Sequence, residues 1–471
     1  RALPDAAIEA LGQMLMFPTS EGVYPGVEDV KRACRPQSLA DFVWDVFLAW
    51  LDAGGSGKDG WVMVALGLLG NDDTARRLTP MIRSWPGESL HARAVLGLDA
   101  LAAIGTDLAL MLLNGIAQKL KFKGLQEKAR DKVRAIAEAR GLSTEELEDR
   151  LAPDLGLAEE ASLVLDFGPR AFAVSFNEGL APCVREIGAD GVLGPRLADL
   201  PKPKKSDDAE LAKRSVERFK QLKKDARSIA SQQLQRLELA MCSRRRWTPE
   251  LFRQLLVEHP LLRHLVQRLL WGVYAMPREG LNGGELRACF RVAEDGSFAD
   301  AEDAAFVLAD DHVLCIGLPH ALEIPSDVAA AFGQIFADYE LLQPFAQLGR
   351  DSHALTAAEK AAQSLLRWKG LQVPTGRLQG LVERGWQRGR AQDGGSIWDF
   401  RKPLGDRRCI QLHFSPGIIV GLVHEFAEQT LEDVVVGPTS PRGDLQALER
   451  FEVLDAITAS ELIRDLEGLR S

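Results

Sequence analysis

Apolar and polar residues follow a helical pattern over the first third of the chain. The segments ALGLLGNDDTA (residues 65–75) and ALAAIGTDLAL (residues 100–110) each combine an apolar run with a short turn of Gly and polar residues. In both, a second run follows with apolar residues at three-and-four spacing. The pattern predicts pairs of helices joined by short turns.

The two segments belong to a sequence repeat. Gly70 matches Gly105 and Asp72 matches Asp107, each at an offset of 35 residues, and Gly141 follows Gly105 after 36. A repeat of this length built from helix pairs is typical of an α-solenoid of the HEAT type, in which stacking covers the apolar face that each pair leaves open. A plain helical bundle is the alternative.

The pattern changes after residue 150. Phe172, Val174 and Phe176 alternate with smaller residues at a period of two, and Gly-Pro and Asp-Gly pairs interrupt the segment. These features are typical of short antiparallel strands. A long helix is predicted next, because a Ser-Asp-Asp sequence that ends at Asp208 is a helix N-terminal signal, and its apolar residues such as Phe219 and Leu222 should face the core. Residues 162–239 therefore have the order strand, strand, helix.

A mixed pattern begins at residue 248. A helical block comes first, and strands are predicted around residues 286–300, 304–318 and 408–426. Helices are predicted around residues 326–342, 356–366, 377–388 and 454–469. The predicted fold is mainly α with α+β parts: HEAT-like helical repeats (1–150), short antiparallel strands plus a long basic helix (151–247) and a C-terminal α+β domain of uncertain topology (248–471).

Composition indicates a soluble globular protein, with 46% hydrophobic and 26% charged residues. The six cysteines are far apart, which favours a reducing compartment and predicts neither disulfides nor a structural zinc site. The most apolar window, residues 96–117, contains Asp99 and Asp107, and carboxylates are costly in lipid. We therefore predict a cytoplasmic protein without a membrane partner. The chain starts at Arg1 rather than Met, as a fragment would.

Positive charge is concentrated in two segments, although the formal net charge is −10. Residues 201–246 contain 14 Lys and Arg against 6 Asp and Glu, and residues 119–134 contain 7 against 2. Such asymmetry suits a phosphate backbone or an acidic partner, and a solvated helix face is the alternative. The predicted binding residues are Lys119, Lys121, Lys123, Lys202, Lys204, Lys205, Lys213, Lys220, Lys223, Lys224 and Arg227.

Two motifs that resemble known sites lack essential residues. The loop AGGSGKDG (residues 53–60) has Asp59 where a phosphate loop needs Ser or Thr, so we interpret it as a connection between helices. The segment VHEFAEQ begins like a zinc-protease helix with His424, but Glu428 occupies the second ligand position. His413 is the nearest third ligand in sequence. We predict no metal there and interpret His424 as a half-buried residue.

Two other segments carry chemically capable side chains. Asp351, Ser352 and His353 could act as an acid–base group, but capping of the helix predicted at residue 356 is the simpler role. The segment ERGWQRGRAQDGG places Trp386 among arginines, which suits stacking on bases or binding of phosphate. The alternative is a loop that Trp386 anchors to the core.

Long motifs give the chain a family resemblance. The segments LAAIGTDLALMLLNGIAQKLKFKGLQEKA, LDFGPRAFAVSF, LPKPKKSDD, RRRWTPELFRQLLVEHPLLRHLVQRLLWG and ADYELLQPFAQLGR occur in this order. From about Ala65 onward the chain resembles the bacterial MolR-like proteins. The resemblance implies a C-terminal domain of unknown function, a WGR domain upstream and a description as molybdate metabolism regulators. It implies no catalytic or metal-binding residue.

A Trp-Gly-Arg motif is absent from the sequence, since Trp271-Gly272 is followed by Val273. The strand–strand–helix order of residues 162–239 nevertheless resembles a WGR module, a type associated with DNA ends. This is a likeness of topology alone.

The sequence predicts a non-catalytic regulatory or scaffold protein that binds a macromolecular partner, protein or nucleic acid, with no cofactor. Binding to DNA or RNA would be micromolar and without strong sequence preference. The alternative is an enzyme of undefined reaction with a site in the C-terminal domain, near His320, His353, His413 or His424. The oligomeric state is left open.

Overall fold

The structure is a computed structural model. It describes residues 4–16, 24–120, 122–140, 142, 144–152, 155, 163–188, 190–275, 284–309, 313–392, 395–405, 407–420, 422, 425–440 and 443–470. Internal contacts divide the chain into two units, Arg1–Ala158 and Glu159–Ser471. A further boundary near residue 247 stays a prediction.

The first unit is built from helices, and polar side chains cap some of them. The Asn71 side chain, for example, accepts a hydrogen bond from the Thr74 backbone N–H at 3.1 Å and so satisfies a free donor at the start of a helix. In chain order the helices are α1 (Asp5–Leu15), α2 (Gly26–Ala33), α3 (Pro36–Asp52), α4 (Trp61–Leu69), α5 (Asp72–Ser84), α6 (His91–Ile104), α7 (Asp107–Lys119), α8 (Lys123–Ala139) and α9 (Thr144–Arg150), with 3₁₀ turns at Gly57–Asp59 and Trp85–Glu88.

The repeated glycines end equivalent helices. Gly70 follows α4 and Gly105 follows α6, while Asp72 and Asp107 begin the next helices, α5 and α7. The Thr106 hydroxyl donates to the Asp72 carboxylate at 2.6 Å. This hydrogen bond joins the turn after α6 to the start of α5. Helix α4 packs against α6, and α5 packs against α7. A HEAT solenoid stays a prediction, and Gly141 lies outside the described residues.

The second unit begins with an antiparallel sheet of order β1-β2-β3, here the first sheet, made of β1 (Val164–Asp166), β2 (Ala171–Phe176) and β3 (Pro182–Ile187). The predicted long helix follows as α10 (Ala209–Cys242). Asp208 caps it by accepting from the Leu211 N–H at 2.9 Å, as its sequence signal predicted. Helix α10 packs against β1 and β3.

A second antiparallel sheet has the order β4-β8-β5-β6-β7. Its strands are β4 (Arg246–Trp247), β5 (Leu270–Ala275), β6 (Glu285–Val292), β7 (Phe298–Ala299) and β8 (Leu314–Gly317). The helical block before β5 is broken into α11 (Pro249–Phe252), a π turn at Arg253–Val257 and α12 (Arg263–Val266). Helix α13 (Ser326–Asp338) covers this sheet and buries Phe332 and Phe336.

A third antiparallel sheet has the order β10-β14-β13-β12-β11, with β9 paired to β14. Its strands are β9 (Ser364–Leu365), β10 (Gln372–Pro374), β11 (Gln387–Arg388), β12 (Ser396–Leu404), β13 (Arg408–Ile419) and β14 (Glu428–Pro438). The remaining elements are α14 (Ala357–Ala361), α15 (Thr375–Gln379), 3₁₀ turns at Gly380–Arg384 and Phe451–Val453, and α16 (Ala456–Glu467). The predicted closing helix, α16, packs Leu462 and Leu466 on this sheet.

The α and α+β character of the chain is confirmed, but two predicted helices are wrong in part. The helix expected over 356–366 ends at Ala361, and Ser364–Leu365 form β9 because they pair with β14. The helix expected over 377–388 stops at Arg384, and Gln387–Arg388 pair with β12. In both places pairing with a distant strand outweighs local helix propensity.

Candidate polyanion-binding face

Helix α10 has a buried side and a basic side. Phe219 and Leu222 are buried on the core side, as the sequence predicted. Residues 213, 220, 224 and 227 recur at spacings of seven, four and three, so at about 100° per residue they share the opposite side. We call the exposed side chains Lys213, Lys220, Lys224 and Arg227 the basic strip.

The basic strip keeps a net positive charge. Within the described parts of the chain, none of its four cations forms an ion pair. Lys223, by contrast, bonds the Asp199 carboxylate at 2.9 Å and lies over the Phe219 ring, so part of its charge is used internally. Glu217 is exposed within the strip and reduces its field.

A buried ion pair fixes the segment ahead of α10. Arg170, which immediately precedes β2, donates to Asp207 from Nε at 3.1 Å and from Nη2 at 2.6 Å, a bidentate arrangement. Asp207 also accepts from the Lys204 backbone N–H at 2.7 Å. Lys202, Lys204 and Lys205 therefore stay exposed on a segment that is attached to the first sheet.

The same contacts set the electrostatics of Asp207. The hydrogen bond from Arg170 is the largest cause, followed by the bond from the Lys204 N–H, and together they lower the pKa of Asp207 to about 2. Both donors favour the charged carboxylate, so the pair is ionised at neutral pH.

Sequence reasoning missed two exposed cations beside the basic strip, Arg214 and Arg218. Their i,i+4 spacing places them together on one flank of α10, a signal that the sequence contains. In the first unit, Lys119 ends α7 and Lys123 begins α8, but their side chains, and all of Lys121, lie outside the described residues. Their part in a shared binding surface stays a prediction.

Among the residues that the structure describes, the histidines of the enzyme hypothesis do not come together as a site. His320 is completely buried, and its Nε2 lies 3.1 Å from the Glu461 carboxylate. His353 donates its backbone N–H to the Ser460 hydroxyl at 2.9 Å. His424 lies outside the described residues.

His413 forms the most reaction-like pair of the set. Its Nδ1 lies 2.6 Å from Asp433 Oδ1, and the Ser364 hydroxyl lies 3.3 Å from the other Asp433 oxygen. A nucleophilic serine would need to contact the imidazole rather than the carboxylate. The arrangement therefore lacks the order of a catalytic triad.

A buried network surrounds His320 instead. Arg350 donates to Glu461 at 2.8 and 2.6 Å and to Glu238 at 2.9 Å. Burial alone would raise the pKa of Glu461, but hydrogen bonds from Arg350 and His320 lower it below its usual range. Burial raises the pKa of the adjacent Cys242 thiol to about 12, so this thiol stays protonated at neutral pH and is a poor nucleophile. The network links α10 and α16 as a structural element.

The remaining motifs have structural roles. Trp386 is buried and donates its indole N–H to Asp465 at 2.8 Å, so it anchors its loop and cannot stack on bases. Thr356 caps α14 with Glu359, which shows that the capping role predicted for Asp351 and Ser352 is wrong. The loop at 53–60 connects α3 to α4, as interpreted from the sequence.

Glu428 begins strand β14, so the zinc-protease helix suggested by VHEFAEQ does not extend to its second ligand position. Among the residues that the structure describes, no group of three or more His, Cys, Asp and Glu side chains is placed to hold a metal ion. Within the same ranges, no helix is long and apolar enough to cross a membrane.

Comparison with known proteins gives two matches. Residues 194–386 match the family described as Domain of unknown function (DUF4132), and this range includes α10. The chain is also 38% identical over 457 residues to Uncharacterized protein YehI of Escherichia coli (strain K12). The matched region covers 97% of this chain and 36% of that protein. The chain thus spans about a third of the length of this relative. No solved structure matches. Together the two matches support a bacterial protein family of unknown function.

Proposed function

We propose that the chain is a non-catalytic protein that binds the phosphate backbone of nucleic acid through the basic strip of α10. The observation that carries the proposal is the exposure of Lys213, Lys220, Lys224 and Arg227 on one side of the helix. A nucleic acid carries condensed counterions along its phosphates, and cations without carboxylate partners can neutralise those phosphates and release the counterions, which drives binding.

The dimensions of the basic strip fit a polyanion. From Lys213 to Arg227 the helix rises about 21 Å, at about 1.5 Å per residue. A DNA duplex carries one charge per about 1.7 Å of its axis, so several phosphates lie within reach of one strip. Lys202, Lys204 and Lys205 extend the positive surface ahead of the helix.

The side chains of α10 favour binding without sequence preference. Lysine acts as a flexible point charge and reads phosphates rather than base edges. The one aromatic residue of α10, Phe219, is buried, so this helix offers no platform on which unpaired bases could stack. Affinity should therefore be micromolar at physiological salt and similar for unrelated duplex sequences.

Two features of the fold support the description of the chain as a regulatory or scaffold protein. The helix pairs around Gly70 and Gly105 support a HEAT-type solenoid, which would give a regulatory or scaffold protein a second binding surface. The first sheet followed by α10 supports the likeness to a WGR module, and with it a place among MolR-like proteins in the cytoplasm. The enzyme alternative has no comparable support, because the described histidines have structural partners.

The test is binding to a short DNA duplex across a salt series. The variant Lys213→Gln/Lys220→Gln/Lys224→Gln removes three charges, and each lost phosphate contact should reduce the slope of log K against log salt by about 0.9. The slope of log K against log salt should therefore be about 3 less negative for the variant than for the wild type. The matched control is Arg287→Gln/Lys360→Gln/Arg450→Gln, which removes three exposed cations elsewhere in the second unit and should leave the slope unchanged.

Two results would contradict the proposal. Either the protein is not retained by duplex DNA at low salt, or both triple variants lose affinity equally. Binding of an acidic protein without binding of DNA would assign the basic strip to a protein partner instead.

A further inference from the structure

A second group of cations lies where the β2–β3 turn meets α12. It consists of Arg196, Arg263, His264 and Arg268, which we call the arginine cluster. Arg196 donates from Nη2 to the Phe176 carbonyl, and Arg268 donates from Nη2 to the Glu178 carbonyl. Because both acceptors lie at the end of β2 and in the turn that follows it, the two guanidinium groups lie close together although they come from different parts of the chain.

The cluster is attached to its surroundings by neutral groups. Arg268 is 8% exposed and also donates to the carbonyls of His264 at 2.9 Å and of Leu342 at 3.0 Å. Arg196 donates from Nε to the Cys183 sulfur at 2.8 Å. Within the described ranges, none of the three arginines forms an ion pair with a carboxylate.

Burial and like charge both disfavour the charged forms of side chains in the cluster. Burial, and then the charges of Arg263, Arg196 and Arg268, lower the pKa of His264 to about 4. Burial also lowers the pKa of Arg268, and the charge of Glu178 offsets this only in part. His264 is therefore neutral at physiological pH, with a ring N–H available as a donor.

The cluster is reachable from solvent. Arg196 and Arg263 are exposed, His264 is half-buried, and only Arg268 is buried. Arg196 and Arg268 use only two and three of their five N–H groups in the bonds given above. Several guanidinium donors thus remain for a ligand.

We propose that the arginine cluster is a binding site for one tetrahedral oxyanion, a phosphate or sulfate group. The fork of donors on each guanidinium matches the oxygens of such a group, and a neutral imidazole adds a further donor. A bound anion supplies the negative charge that these arginines do not obtain from ion pairs. The site is separate from the basic strip and does not depend on the function proposed for it.

The test uses His264 as a reporter. The complete chain, labelled at histidine, is titrated by NMR in sodium sulfate and in sodium chloride of equal ionic strength, and His264→Gln assigns the signal. Sulfate keeps its charge over this range of pH, and both salts screen repulsion equally. A bound dianion should raise the pKa of His264 by about one unit or more above its value in chloride, because it favours the imidazolium.

Two variants show where the anion binds. Arg196→Gln/Arg263→Gln should raise the pKa of His264 in chloride, since two repelling charges are gone, and should abolish the additional shift in sulfate. Arg268 is not substituted, because its side chain donates hydrogen bonds to three backbone carbonyls. The control Arg287→Gln, an exposed cation on β6, should retain the shift. Superimposable titration curves in the two salts, or a sulfate shift that survives the double variant, would overturn the proposal.

The source of the oxyanion is resolved by a second pair of titrations. A free anion as ligand predicts that inorganic phosphate shifts His264 equally in the wild type and in the Lys213, Lys220 and Lys224 triple variant. A phosphate of a longer polymer predicts a shift with a DNA duplex that is lost in the triple variant. Both results support the site, whereas failure of the basic strip to bind DNA leaves the sulfate result unaffected.

Discussion

Arg170 and Asp207 are 37 residues apart in sequence, yet their side chains form a bidentate ion pair in which Asp207 is 1% exposed. Arg170 precedes β2, and Asp207 lies just ahead of the cap of α10. The pair therefore connects the first sheet to the segment that carries Lys202, Lys204 and Lys205.

The ion pair should make stability depend on acid pH. Asp207 has a pKa of about 2 in the fold, below the value of about 3.9 for an unperturbed Asp. Its contribution to the free energy of unfolding is thus complete above about pH 4 and is lost as the pH falls toward 2.

Urea unfolding of the wild type and of Asp207→Asn at pH 6, 4 and 2.5 checks this dependence. The wild type should be more stable at pH 6, and the difference should shrink at pH 2.5. A difference that stays constant across this range would mean that the fold does not lower the pKa of Asp207.

The buried network around Arg350 should be sensitive to loss of its central carboxylate. Glu461→Ala leaves the guanidinium of Arg350 and the imidazole of His320 without their main acceptor. Breaking a buried pair in this way costs about 3 to 5 kcal/mol. The control Glu452→Ala removes an exposed carboxylate and should change the free energy of unfolding by less than about 0.5 kcal/mol. Denaturant titration measures both, and equal effects would refute a structural role for the network.

The repeat of the first unit predicts equivalent helix caps. Asn71 and Thr106 each accept a hydrogen bond from a backbone N–H three residues later, at 3.1 and 3.2 Å. Asn71→Ala and Thr106→Ala should each lower the free energy of unfolding by about 1 kcal/mol. Thr106→Ser, which keeps the hydroxyl, should recover most of the loss. If the serine variant is as unstable as the alanine variant, loss of the capping hydrogen bond does not explain the destabilisation.

Trp386 provides a test that separates stability from binding. Trp386→Phe keeps an aromatic ring but removes the N–H donated to Asp465, which should cost about 1 to 3 kcal/mol of stability. Affinity for DNA should not change below the unfolding transition, because this ring is buried. A loss of affinity with an unchanged melting temperature would restore the stacking role that the sequence suggested.

Periodicity alone determined much of the fold. The three-and-four spacing of apolar residues predicted the helices of the first unit, the long helix α10 and the closing helix α16, because a helix forms from neighbours in sequence. The same spacing placed Phe219 inward and Lys220 outward. Helical spacing thus predicted that Phe219 and the lysine next to it lie on opposite sides of α10, as the structure shows.

Only the tertiary structure decided which charges are neutralised. Lys223 and Lys224 are adjacent in sequence, but Asp199 forms its ion pair with Lys223 and not with Lys224. Arg350 and Glu461 meet across 111 residues, and no local pattern reports such a contact. Strand assignments at Ser364–Leu365 and Gln387–Arg388 depend in the same way on distant partners. Helical spacing is a local property of the backbone, whereas ion pairs and strand partners form only after the chain has folded.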